Sequence, residues 1–193
     1  MDVLEPKNLS DEKLVDLVRR KDKNLYKEVV KRYQDRLLRY ANYLLNGIHE
    51  AEDVVQNALI KAYINLNSFD VKRKFSSWIY RIVHNEAVNL IKKKRREVSL
   101  DKNEFLSDSL TDDTNIELDF EKKELKKLIR RSLDRLPIKY REPMVLFFLE
   151  DKSYKEISDI LRLPMGTVSI RLSRGKSTLR KIIGIKGEQI GQK

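Results

Sequence analysis

Along most of this chain apolar residues return at intervals of three and four, the spacing that gathers them on one face of an α-helix. Ser10-Asp11-Glu12-Lys13 opens a first predicted helix with Leu14, Val15 and Val18 inward. Residues 24–45 form a longer amphipathic segment carrying Leu25, Val29, Tyr33, Leu37, Tyr40 and Leu44, and Asn46-Gly47 stops it. Tyr26 and Tyr43 join Tyr33 and Tyr40 as predicted core rather than as a ligand-contacting group. In residues 49–66, Ala51, Val54, Val55, Ala58, Leu59, Ala62 and Leu66 form an inward stripe. Glu52, Asp53, Gln56, Asn57, Lys61 and Asn65 line the other face. A polar connection, 67–74, leads to a helix over 75–96. Phe75, Trp78, Ile79, Ile82, Val83, Ala87 and Ile91 make its apolar side, with Trp78 a core anchor and His84 a rim residue.

The second half continues in the same period. Residues 120–136 place Leu125, Leu128, Ile129 and Leu133 inward, and Leu136-Pro137 ends that helix. Residues 140–149 contain the apolar run 144–149, suited to burial and far too short for a membrane span. Pro143 marks a first turn or a kink there, since a mid-helix proline costs about 3 kcal/mol. Ser153 and Glu156 have capping-box spacing, followed by Ile157, Ile160 and Leu161. Arg162-Leu163-Pro164 breaks the period, and Val168, Leu172, Gly175, Leu179 and Ile182 resume it. Thr167, Ser169, Ile170, Ser173, Arg174 and Ser177 occupy the opposite side, with Arg171 on its border. A short helix, a tight break and a helix with hydroxyl and guanidinium groups outward describe a helix-turn-helix. A helical hairpin with a solvated basic face has the same periodicity. The fold class expected is all-α, with two small helical domains, the second containing the helix-turn-helix.

Charge changes this picture. Charged residues are 37% of the 193, and the formal net charge is +11. Such an excess attracts polyanions, nucleic acid above all. It is unevenly spread. Residues 72–96 hold nine Lys or Arg against one Glu, whereas 97–119 hold eight Asp or Glu against one Lys. Residues 153–186 are basic again, with eight against two. The acidic stretch, rich in Ser, Thr and Asn, reads as a flexible linker. The domains it joins are therefore expected at 1–96 and 120–193. Fully extended, the linker spans roughly 75–80 Å, enough to join DNA sites about two helical turns, or roughly 70 Å, apart. With no cysteine and two histidines, disulfides are excluded and neither a metal site nor a cofactor is expected. The start lacks the regions of a signal peptide and no stretch suits membrane insertion, so a soluble cytoplasmic protein is expected.

Several motifs, in order, resemble the extracytoplasmic-function sigma factors of bacterial RNA polymerase. YKEISDIL followed by PMGTVSIRLSRGKSTLRK is similar to their upstream-element reader. Gly166, Thr167, Ser169, Ile170, Arg171, Ser173 and Arg174 are the implied contacts to duplex promoter DNA. Arg162 stands where the family has Gly or Asn, and Gly175 where Ala is usual; Gly inside a helix costs about 0.8–1 kcal/mol, implying fraying or close packing. EAEDVVQNALIKAYINLNSF resembles the helix that grips core RNA polymerase, which implies Asp53, Gln56 and Asn57 as partner contacts; Asn57 replaces a usual Glu and Tyr63 a usual Trp. FSSWIYRIVHNEAVNLIKKKRR resembles the segment that captures the downstream element as single strand. That implies Asn85 for an extruded base, the 67–74 loop for its pocket, and Arg81, Lys92, Arg95 and Arg96 for the strand. Asn89 stands where an Asp is common.

The resemblance further implies that the linker threads the polymerase cleft and that an anti-sigma protein is a candidate partner. Its expected role is promoter-specific initiation by an alternative sigma factor that is not itself an enzyme. An alternative is a helix-turn-helix regulator that acts without being a polymerase subunit; it leaves AEDVVQ and the acidic linker unused. A recombinase or nuclease would need converging carboxylates, yet the acidic cluster lies in the linker, and no glycine-rich phosphate loop is present.

Overall fold

The structure, a computed structural model, describes residues 8–100 and 120–184, with side chains described for 8–97 and 127–184. Every regular element among the described residues is helical: α1 Asp11–Arg20, α2 Tyr26–Leu45, α3 Ile48–Ile64, α4 Phe75–Leu100, α5 Phe120–Asp134, α6 Ile138–Phe148, α7 Tyr154–Leu161 and α8 Met165–Ile183. They divide into two units, α1–α4 in the first and the remaining helices mainly in the second. Most of the linker, 101–119, and the tail after Gly184 lie outside the described residues.

In the first unit α2, α3 and α4 pack mutually and α1 lies against α2 and α4. The predicted stripe of α3 is buried throughout, as are Leu14, Val15 and Val18 of α1. Tyr33, Tyr40, Phe75 and Tyr80 fill the centre, with ring centroids 5.5 Å apart for Tyr33 and Phe75 and 5.4 Å for Tyr40 and Tyr80. Tyr26 and Tyr43 are half-buried; the Tyr26 hydroxyl donates to the Leu59 carbonyl at 2.7 Å. Some helix boundaries differ from the periodicity. A single 3-10 turn, Lys23–Leu25, precedes α2 because the Asp22 carboxylate accepts from the Asn24 N–H at 2.8 Å. Another, Leu66–Ser68, follows α3. Helix α4 passes Arg96 and runs to Leu100, with Glu97 paired to Lys93 at 3.8 Å. His84 is half-buried at the rim of the core, 3.3 Å from the Tyr40 hydroxyl through Nδ1, and burial lowers its pKa to about 4.

In the second unit α6 packs on α8, which also meets α5. Pro143 falls inside α6 rather than in its first turn. It removes the N–H that the Lys139 carbonyl would otherwise receive. The apolar run of α6 is only partly inward: Met144, Val145 and Leu146 are buried, whereas Phe148 is 47% exposed. Leu128, expected inward on α5, is 46% exposed. Charged side chains occupy the core instead, Arg141, Glu142, Glu150 and Lys152 among them. Arg141 ties α6 to the end of α5 by donating to the carbonyls of Asp134 and Leu136.

The capping box forms as its spacing predicts: the Ser153 hydroxyl accepts from the Glu156 N–H at 3.3 Å, and Glu156 accepts from the Ser153 N–H at 3.0 Å. Arg162 then turns the chain in the left-handed region, φ 53° and ψ 47°, and Pro164 caps α8. Leu163 donates its N–H to the Ser158 carbonyl at 3.1 Å, while the Ser158 hydroxyl donates back to the Leu163 carbonyl. Gly175 reflects close packing, not fraying. A Cβ there would sit 2.9 Å from Met144 Cγ and 3.5 Å from Tyr140 Cβ, so its absence lets α6 and α8 approach.

Candidate nucleic-acid interface

On α8, Gly166, Ser169, Ile170, Ser173 and Arg174 are exposed, and Thr167 and Arg171 are half-buried at the two edges of that face. Val168, Leu172 and Gly175 are buried on the opposite side. The helix thus presents two guanidinium groups, three hydroxyls and an apolar Ile170 on one surface, a set able to contact base edges and phosphates. Arg171 lies close enough to buried Glu142 to act on its charge. Burial pushes the Glu142 carboxyl up to about 7, against the opposing pull of Arg171 and Arg141.

On α4, Arg81, Asn85, Asn89, Lys92 and Arg96 follow at steps of four and three and therefore share one stripe. Asn85, Asn89, Lys92, Arg95 and Arg96 lie at least partly open to solvent and Arg81 is half-buried. The basic run is not uniform. Lys94 pairs with Glu50 of α3 and Lys93 with Glu97, whereas Lys92, Arg95 and Arg96 point along the open part of the helix. Trp78, expected as a core anchor, is half-buried on the same stripe, its ring 5.4 Å from Phe69 and 5.6 Å from Phe75. It joins the stripe to the loop between α3 and α4. The loop is built rather than slack. Phe69 is 3% exposed, and the Asp70 carboxylate accepts from the Lys72 N–H at 3.0 Å while its carbonyl accepts from the Arg73 N–H at 2.9 Å. Residues 70–74 remain exposed at the tip.

Asp53, Gln56 and Asn57 are exposed on α3. Gln56 and Glu52 also line a groove between α2 and α3, floored by Val30, Leu38, Val55 and Leu59. Tyr26 and Tyr63 pack together at its wall, with centroids 4.9 Å apart. The α2 contribution to this surface was not legible in a motif confined to α3. Its signal was present in the half-polar face of α2, where Lys27, Val30 and Gln34 succeed one another at helical spacing. Among the described residues no group of His, Cys, Asp and Glu is arranged to hold a metal ion. No helix among them is long and apolar enough to cross a membrane.

Two all-α units, one with a basic helical stripe and one with a helix-turn-helix, define a nucleic-acid-binding class. Family models narrow it: Sigma-70 region 2 matches residues 29–97 and Sigma-70 region 4 matches residues 126–179. The chain is 36% identical to the ECF RNA polymerase sigma factor SigW of Bacillus subtilis over 176 residues, covering 88% of this chain and 94% of that one. It is 33% identical to the ECF RNA polymerase sigma-E factor of Escherichia coli K12 over 179 residues, covering 89% and 93%. Among solved structures, the sigma factor RpoE in complex with the anti-sigma factor NepR from Bartonella quintana superposes with a TM-score of 0.70 at 25% identity, covering 83% of this chain and 98% of that one.

The chain belongs to the extracytoplasmic-function family of RNA polymerase sigma factors. As an alternative sigma factor it joins core RNA polymerase and directs promoter-specific transcription initiation.

Proposed function

We propose that the work of initiation is divided among three surfaces of this chain. The loop 67–74 and the α4 stripe hold the downstream promoter element as a single strand. Asn85 reads one extruded base, while Arg81, Lys92, Arg95 and Arg96 attract the backbone. Gly166, Thr167, Ser169, Ile170, Arg171, Ser173 and Arg174 of α8 contact the duplex upstream element. Asp53, Gln56 and Asn57, with the adjoining groove, dock on core polymerase. The acidic stretch that follows α4, out to residue 119, tethers the two reading units and threads the polymerase cleft. The chain performs no catalysis of its own, acts in the cytoplasm, and is restrained by an anti-sigma protein, a partner suggested by the complex of its structural relative.

The observation that supports this reading best is the alignment of Asn85 with Arg81, Lys92 and Arg96 on one stripe beside an ordered loop. A planar amide both donates and accepts, which suits the Watson–Crick edge of an unstacked base. Flipping a base costs a few kcal/mol, so closed duplex binds weakly and the open strand tightly. The test measures holoenzyme binding to downstream single strands with each base substituted in turn. Asn85→Ala is expected to flatten the preference at one position, costing about 1–3 kcal/mol of discrimination there. An unaltered base-preference profile would remove Asn85 from the reading.

A further inference from the structure

The ordered loop between α3 and α4 is held from outside its own segment. Arg19 of α1 donates through Nη1 to the Phe69 carbonyl at 3.1 Å and through Nη2 to the Asn67 carbonyl at 3.2 Å. At the other end of the loop, Glu12 of α1 accepts the Phe75 N–H at 3.0 Å. That N–H belongs to the first residue of α4 and has no partner within its own helix. One short helix therefore grips both ends of the loop. α1 is itself fixed on α2: the Asp11 carboxylate accepts from Arg32 Nη1 at 2.7 Å and from the Tyr33 hydroxyl, and Arg32 also donates to the Leu9 carbonyl at 2.9 Å.

We propose that Arg19 and Glu12 are positioning residues for base selection, setting the shape of the 67–74 loop without touching DNA. The inference rests on the reading of that loop as the pocket for the extruded base. Its physical content lies in what the Arg19 bonds do not do. Asn67 is exposed and its carbonyl can be satisfied by water, so Nη2 is not needed there to rescue a buried polar group, whereas Nη1 serves the part-buried Phe69 carbonyl. What a planar fork supplies is direction, holding two carbonyls of one loop in fixed orientation. Phe69 between them is already anchored against Phe75 and Trp78, with centroids 5.3 and 5.4 Å away. The fork therefore governs the peptides flanking the anchor, and through them the tip 70–74. Glu12 fixes where α4 begins, and hence where Trp78, Arg81 and Asn85 stand relative to that tip.

The experiment uses full-chain holoenzyme and downstream single-stranded oligonucleotides carrying each base at each position. Arg19→Ala is expected to reduce discrimination roughly tenfold at one position, the equivalent of a hydrogen bond with a charged donor. Affinity for the already mismatched strands, and the salt dependence, should hold. Arg20→Ala is the control. It removes the same charge from a neighbour whose ion pair, with Asp16 at 2.8 Å, stays within α1, and it should leave the profile intact. Arg19→Lys keeps the charge but cannot span both carbonyls, so intermediate discrimination is expected. It also serves as the informative variant where Arg19→Ala does not fold.

Three results would overturn the proposal in distinguishable ways. Equal weakening of every strand by Arg19→Ala and Arg20→Ala would reduce Arg19 to a general charge. A profile unchanged by Arg19→Ala but altered by Val71→Ala or Lys72→Ala at the tip would refute positioning by α1 and leave the pocket standing. A profile unchanged by the tip variants and by Arg19→Ala alike would refute the pocket, and the inference with it.

Discussion

Arg162 turns the chain between α7 and α8 with φ 53°, a conformation in which any Cβ crowds the following carbonyl. Its side chain is exposed, so the strain falls on the backbone of the turn that aims α8. Arg162→Gly is expected to stabilise the second unit by about 1 kcal/mol, read as a rise in its unfolding midpoint. Glycine's greater freedom in the unfolded chain sets the upper limit on that gain. The departure from Gly or Asn was visible in the sequence; the left-handed angle that makes it costly was not. The shifted pKa values of Glu142 and His84 were illegible for a related reason. Burial of a titratable group depends on helices distant in sequence, and one helical period can place a residue on a face without showing what covers it.

At the scale of elements, hydrophobic period located the helices among the described residues, because most bury one stripe; α6, buried over consecutive residues from Arg141 to Leu146, is the exception. The period failed at ends and at exposed apolar positions. Helix α4 outran its basic segment and runs on to Leu100. Phe148 is exposed despite ending an unbroken apolar run, because burial on α6 runs from Arg141 to Leu146 and Phe148 lies in the last turn beyond it. The candidate contacts of α4 and α8 were legible as motifs, whereas the division of labour within residues 92–96 was not. Lys93 and Lys94 already answer Glu97 and Glu50. Replacing Lys92, Arg95 or Arg96 by Ala is expected to lower the salt dependence of single-strand binding by about 0.7 in log–log slope for each phosphate left without its cation. Lys93→Ala or Lys94→Ala should change it less. Titrating holoenzyme binding against salt for the five single variants checks this, and five equal slopes would refute it.

For the molecule as a whole, burial places in each unit a titratable group, and the contributions of the two to stability are expected to change with acid in opposite senses. Burial raises Glu142 to about 7, so folding of the second unit favours the protonated carboxyl. That contribution is greatest below its ordinary pKa of 4.5 and is lost as pH rises toward 7. Burial lowers His84 to about 4, so folding of the first unit favours the neutral ring. Here the contribution is complete above the ordinary 6.5 and is lost as pH falls toward 4. Between about pH 6.5 and 5 the first unit should weaken on acidification while the second strengthens, each group contributing up to about 1.4 kcal/mol per pH unit. Unfolding each unit across this range, alongside Glu142→Gln and His84→Gln, tests the assignment. Each substitution should flatten the slope of its own unit and leave the other's unchanged.

The grip of α1 on the loop also bears on the order in which the protein matures during synthesis. The N–H of Phe75 is received by a carboxylate 63 residues earlier in the chain. Synthesis proceeds from the N-terminus, so Glu12 and Arg19 have left the ribosome well before the loop that they hold. No residue of the second unit is needed to complete that grip. The loop's shape is thus a property that a nascent chain can acquire before its helix-turn-helix has been translated.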